Sequence, residues 1–101
     1  MTQEQASITL QQLAGGQGRL KATIGAKNFA YSEEEHFVSF KFALCKKANY
    51  CRITLNSMDT YDMQFGKVKK TSYDVTKEFS GVYDDMMKGI FEEYTGLYLS
   101  L

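Results

Sequence analysis

The residues of this chain whose types and spacing could do chemistry gather in "CKKANYCRITLNSMDTYDMQFGKV", residues 45–68. The stretch holds both cysteines, a pair of lysines and an Asp-Thr-Tyr-Asp run. Cys45 and Cys51 are six positions apart, not at the C-x-x-C spacing of a zinc or redox site. His36 is the one histidine, so a four-ligand metal site would need carboxylates to complete it, an uncommon set. The pattern predicts no metal and no cofactor. Asp59 and Asp62 fall in a turn and the strand after it, and two carboxylates so placed are not a general acid–base pair without a cleft around them. Asp84, Asp85, Glu92 and Glu93 fall on a helix surface. "GGQG" ahead of Arg19 lacks the G-K-[ST] of a phosphate loop and follows a helix rather than a strand. No nucleophile–base set stands out, so the chain reads as a non-enzyme with no catalytic residues.

The basic residues offer a different chemistry. Lys46 and Lys47 sit where a hairpin tip is expected, with Lys41, Tyr50 and Arg52 on the adjoining outer face of the strands. Cations beside an exposed tyrosine can hold phosphates while the ring stacks a base. These five are the candidate nucleic-acid-binding residues. Lysines at a sheet edge also keep that edge from pairing with other chains, which accounts for the same pattern without a ligand. Global charge gives nucleic acid no support: 12 basic side chains balance 12 acidic ones, whereas nucleic-acid proteins are commonly basic. The distribution is uneven, however. Residues 36–58 carry Lys41, Lys46, Lys47 and Arg52 and no acid, Lys67, Lys69 and Lys70 follow, and the acids prevail from Thr71 onward.

Periodicity supplies the elements that must position these residues. "TQEQASITLQQLA", residues 2–14, places Ala6, Leu10, Leu13 and Ala14 at helical spacing, with Thr2 and Gln5 at capping-box spacing and Gly15 and Gly16 as the stop. "RLKATIG", residues 19–25, alternates and predicts a strand with Leu20, Ala22 and Ile24 on one side. "NFAYS" predicts a short strand with Phe29 and Tyr31 together, and "SEEE" a charged turn. "HFVSFKFAL" puts Val38, Phe40, Phe42 and Leu44 on one face. "YCRITLN" does so for Cys51, Ile53 and Leu55, and "TYDMQFGKV" for Tyr61, Met63 and Phe65. "SYDVTKEF" alternates more weakly.

In "SGVYDDMMKGIFEEYTG" the period becomes helical, with Ser80 as the expected N-cap, Lys88 able to pair with Asp84 and Glu92, and Gly96 as the stop. The tail, with Leu97, Leu99 and Leu101 on one side, is expected to dock as an edge strand or in a groove. Short connections make consecutive strands antiparallel, and one apolar face per strand leaves the other wet. The expected fold is therefore α+β. It is a two-layer sandwich in one domain, residues 1–101, with an antiparallel sheet of four to five strands packed against an N-terminal and a C-terminal helix.

Register follows from the faces. Setting Phe40, Phe42 and Leu44 opposite Leu55, Ile53 and Cys51 turns Cys51 to the core. Cys45 then faces Tyr50 across a tight "KKAN" turn on the outer side. The thiols so placed lie on opposite faces and stay reduced. Phe42 is expected at the centre of the sheet, covered by Met87 or Ile90.

The helix–strands–helix order resembles a double-stranded-RNA-binding domain, but "SGVYDDMM" is acidic where such domains carry lysines, which excludes that assignment. "LAGGQGRLKATIGAKNF", "NYCRITLNSMDTYDMQFGKV" and "GVYDDMMKGIFEEYTGLYLSL" resemble a family of small phage and prophage proteins of about this length. The resemblance runs from Leu13 to Leu101 and implies a viral or prophage origin and work in the host bacterial cytoplasm. It implies no activity and no functional residue. No apolar run reaches the roughly 20 residues of a membrane span, and the opening residues are polar.

The expected function is a non-enzymatic phage-type accessory module that binds a protein partner or itself. Seven Tyr, seven Phe and five Met exceed what one small core can hide. Single-stranded nucleic acid at Lys41, Lys46, Lys47, Tyr50 and Arg52 is the alternative, and no small-molecule ligand is indicated.

Overall fold

A computed structural model describes residues 1–100. Helices α1 (Gln3–Ala14) and α2 (Gln17–Ile24) precede strands β1 (Lys27–Ser32), β2 (Phe37–Lys41), β3 (Tyr50–Leu55), β4 (Tyr61–Val68) and β5 (Tyr73–Val82). A 3-10 turn, Asp84–Met86, leads into α3 (Met87–Thr95). The strands form one sheet in chain order, each antiparallel to the next. All helices lie on one face, so the two-layer α+β sandwich holds.

The N-terminus forms as its sequence dictates. Thr2 Oγ1 accepts from the Gln5 amide, and Gly15 closes α1 with φ 85°, a left-handed angle that glycine takes without steric cost. Residues 19–25 overturn the expected strand: 19–24 belong to α2 and Gly25 caps it. Leu20 and Ile24, four apart, are both fully buried, while Ala22 is exposed. One turn of helix brings Leu20 and Ile24 to the same side just as alternation would, and Ala22, the one position that separates the two periods, is small enough to suit either face.

The core lies between the helices and the inner sheet face. Val38, Phe40, Cys51, Ile53, Met63 and Phe65 supply the sheet side; Leu10, Leu13, Leu20, Met87 and Phe91 supply the helix side. The strand faces match expectation, but Leu44, expected on the core face, is 80% exposed with φ 70° in the loop past β2, and the register differs: Phe40 lies opposite Cys51 and Val38 opposite Ile53. An even slip preserves every face, and it opens a loop over residues 42–49 in place of the tight turn. Phe42 therefore sits just past the end of β2 rather than at its centre. It is 4% exposed, its amide donates to the Asn49 carbonyl, and its ring lies 5.2 Å from that of Phe91. Cys45, in the same loop, is half-buried against the core, not turned outward.

The C-terminal third also departs from the reading. β5 runs through Ser80, so Ser80 caps nothing, and α3 starts later. Lys88 donates to Ser100 Oγ at 2.6 Å. Glu92 Oε2 accepts from the Leu99 amide at 2.8 Å, which seats Leu99 in the core without making the tail a strand. Leu101 lies outside the described residues. No helix among them is long and apolar enough to cross a membrane.

Candidate nucleic-acid interface

The face of the sheet away from the helices is uncovered, and alternation decides what it carries. On β2 it bears Phe37, Ser39 and Lys41, on β3 Tyr50, Arg52 and Thr54, and on β4 Asp62, Gln64 and Gly66. β5 is irregular. Its register shifts opposite Phe65 and Gly66, so Tyr73 and Val75 face outward before the shift and Glu78 after it.

These four strands build one row of aromatic, cationic and amide side chains. The Arg52 guanidinium lies 4.1 Å from the Phe37 ring centroid and 5.8 Å from that of Tyr50. Its Nε donates to the Tyr50 hydroxyl at 3.2 Å. The Tyr50 ring meets the Tyr73 ring edge-on at 5.2 Å. The Tyr73 hydroxyl donates to Gln64 Oε1 at 2.6 Å. Burial raises the Tyr73 phenol above its ordinary range, and the neighbouring Tyr50 adds to this, while Arg52 pulls the other way. The phenol so placed stays a neutral donor at physiological pH.

Gly66 is what lets Tyr73 lie there. A Cβ at position 66 would stand 2.2 Å from Tyr73 Cε1, so the ring rests directly on glycine backbone. The ring in turn covers a stretch of β4 that carries no side chain of its own.

Topology also sorts the charges. In a meander the strand ends alternate, so β1 starts, β2 ends, β3 starts, β4 ends and β5 starts at the same end of the sheet. That end carries Lys27, Lys41, Lys46, Lys47, Lys67, Lys69 and Lys70, against Asp74 on β5 and Glu93, which lines one hollow with Lys47. The opposite end carries Glu33, Glu34, Glu35, Asp59 and Asp62, followed past β5 by Asp84 and Asp85. Zero net charge thus conceals a molecule polarised along its strands.

The structure brings Lys41, Tyr50 and Arg52 together on the open face, as the alternation required. Lys46 lies in the 42–49 loop, where its carbonyl accepts from Lys67 Nζ at 2.8 Å, and its side chain is exposed without a contact to the row. Lys47 turns to the helix layer: its Nζ donates to the Tyr94 carbonyl and stands 5.3 Å from the Tyr94 ring centroid. Phe37, Gln64 and Tyr73 complete the row and were not singled out in the sequence. The signal for Tyr73 was available in Gly66, a glycine inside a strand that needs an aromatic neighbour to cover it.

The other chemistry-bearing residues have structural partners. Asp62 accepts from Asn56 Nδ2 and from the Gly81 amide, at 3.1 and 3.4 Å. Asp59 sits in the β3–β4 turn with φ 59°, where Asn56 Oδ1 gathers the Met58 and Thr60 amides. Cys51 is fully buried, which raises its thiol well above the usual cysteine range, and both cysteines are free. No group of three or more His, Cys, Asp or Glu among the described residues is arranged to hold a metal. Comparison of the chain with protein-family models, with curated proteins and with solved structures gave no match.

Proposed function

We propose that this chain is a non-enzymatic binding module, that its working surface is the basic end of the open sheet face, and that its ligand is single-stranded nucleic acid. The observation that carries the reading is Arg52. Its guanidinium is held between Phe37 and Tyr50 on a face no helix covers, and its hydrogen-bond partner is the Tyr50 hydroxyl rather than a carboxylate. A cation fixed on aromatic rings, beside Lys41 and the lysines of two loops, suits phosphates, while Tyr50 and Tyr73 offer rings to bases. The resemblance to small phage and prophage proteins supports an accessory role in a host bacterial cell.

The test is fluorescence anisotropy of a labelled oligo-dT across salt concentrations. Three to five phosphate contacts give a log–log salt slope of about −2 to −3.5 for a single strand. Arg52→Gln lowers affinity and removes about 0.7 from the slope. Absence of binding at low salt overturns the reading.

A second reading has its own observation. Ile8, Tyr83 and Met86 are 39%, 61% and 44% exposed, where α1 meets the 3-10 turn. An apolar surface of this kind supports a protein partner or a homo-oligomer. Light scattering of wild type and Tyr83→Lys tests it: a monomer at all micromolar concentrations removes self-association.

A further inference from the structure

The Arg52 row ends on a group that phosphate binding leaves unused. Arg52, Gln64 and Glu78 are successive cross-strand partners on β3, β4 and β5. Their side chains therefore stand side by side on the open face, one strand spacing of about 4.8 Å between neighbours. Glu78 is exposed and lies past the β5 register shift, which turns it to this face. Asp62, the carboxylate on β4, already accepts from Asn56 Nδ2 and the Gly81 amide. A carboxylate without such partners repels a phosphate strand and weakens a surface that holds one by charge alone. Its place beside Gln64 suits a contact to a base.

Hydrogen bonds sort the line into donors and an acceptor. Gln64 Oε1 takes the Tyr73 hydroxyl at 2.6 Å, which orients the amide and leaves Nε2 to donate. Arg52 Nε is engaged by the Tyr50 hydroxyl at 3.2 Å, and its other nitrogens only donate. An ionised Glu78 only accepts, through two oxygens. Beside the line lies the Tyr73 ring, 39% exposed, with one side resting on Gly66. Burial raises the Tyr73 phenol, and the Glu78 charge adds to the rise, so ring and carboxylate are neighbours.

Guanine is the base whose pairing edge complements this order. Its O6 accepts, and its N1–H and N2–H donate side by side, as the two oxygens of a carboxylate require. Adenine and cytosine place an amino donor where guanine has O6 and an acceptor where it has N1–H, so Gln64 and Glu78 both meet the wrong partner. Thymine and uracil match at O4 and N3–H but turn an acceptor, O2, toward the second oxygen of Glu78.

We propose that the open face selects guanine, stacked on Tyr73 with O6 toward Gln64 and with N1–H and N2–H on Glu78. This preference rests on the single-stranded nucleic-acid reading and adds to it the base that the surface favours. The test is fluorescence anisotropy, at one low salt concentration, of a labelled oligo-dT octamer and of the same octamer with one central thymine replaced by guanine, inosine, adenine or cytosine. One guanine should tighten binding to wild type about tenfold, the worth of one bidentate base contact. Inosine keeps O6 and N1–H but lacks the 2-amino group, and should lose most of that gain. Adenine and cytosine should give none. Glu78→Gln should erase the guanine gain and strengthen oligo-dT binding, because the charge that repels the strand is gone. Equal binding of all octamers, a gain for adenine or cytosine, a full gain with inosine, or a guanine gain that survives Glu78→Gln each overturns the preference and leaves the oligo-dT reading standing. Absence of binding by every octamer overturns both. The base series uses wild type alone, so it decides the question whether or not the variant folds.

Discussion

At the scale of single residues, Gly66 and Tyr73 make the sharpest case. Gly66→Ala forces a Cβ to within 2.2 Å of the Tyr73 ring, so the ring must leave. The expected cost is about 1–3 kcal/mol in urea unfolding, as for overpacking elsewhere. In a Tyr73→Ala background the same change should cost much less, and equal costs in both backgrounds would show that the ring does not rest on Gly66. Phe42→Ala removes a ring packed on Phe40 and Phe91 and should cost about 3–5 kcal/mol of the roughly 5–15 such a domain has. Phe37→Ala, which strips the ring from under Arg52 on the open face, should cost less. The thiols give a third check: Cys45 should react with a disulfide reagent in the native protein, and Cys51, fully buried with its thiol proton held by burial, only after unfolding. The inward direction of Cys51 was legible because side-chain direction within a strand follows parity; Phe42, just past β2, keeps that direction, whereas Leu44, at φ 70°, loses it. The partners of Cys51 and Phe42 were not legible, because the length of the 42–49 loop decides register and nothing local fixes it.

At the scale of elements, α1 was readable from its cap and its glycine stop, and β2 to β4 from strict alternation. α2 was not. Eight residues with two buried positions satisfy either period, and what selects helix is the need for Leu20 and Ile24 to close the bottom of the core while Gly25, with φ 64°, ends the turn. Backbone chemical shifts for residues 17–24 should be helical. Ala22→Gly at this exposed mid-helix site should cost about 1 kcal/mol; strand-like shifts would contradict the assignment. β5 is the longest strand, with ten residues, and was the weakest in sequence. Its register shifts against β4 break the alternation that would have announced it. Such bulges twist an edge strand and discourage pairing with another chain, so oligomers, if formed, should use the α1 side rather than β5.

At the scale of the whole molecule, the meander topology turns a balanced composition into two oppositely charged ends, with the Arg52 row running from the basic one. Composition alone argued against nucleic acid; only the order of the strands shows that the lysines of three separate segments converge. The basic face was partly legible, since alternation puts Lys41, Tyr50 and Arg52 on the outer face of their strands, while Phe37 and Tyr73 required knowledge of which strands are neighbours. The central claim, that the basic end of the open face is the working surface, is tested most directly by titrating the ¹⁵N-labelled protein with an eight-nucleotide oligo-dT at low salt. Saturable shifts should concentrate at Phe37, Lys41, Tyr50, Arg52, Gly66 and Tyr73, with α1 and the Glu33–Glu35 turn unmoved. Shifts confined to the helix layer, or none at millimolar oligonucleotide, would contradict it.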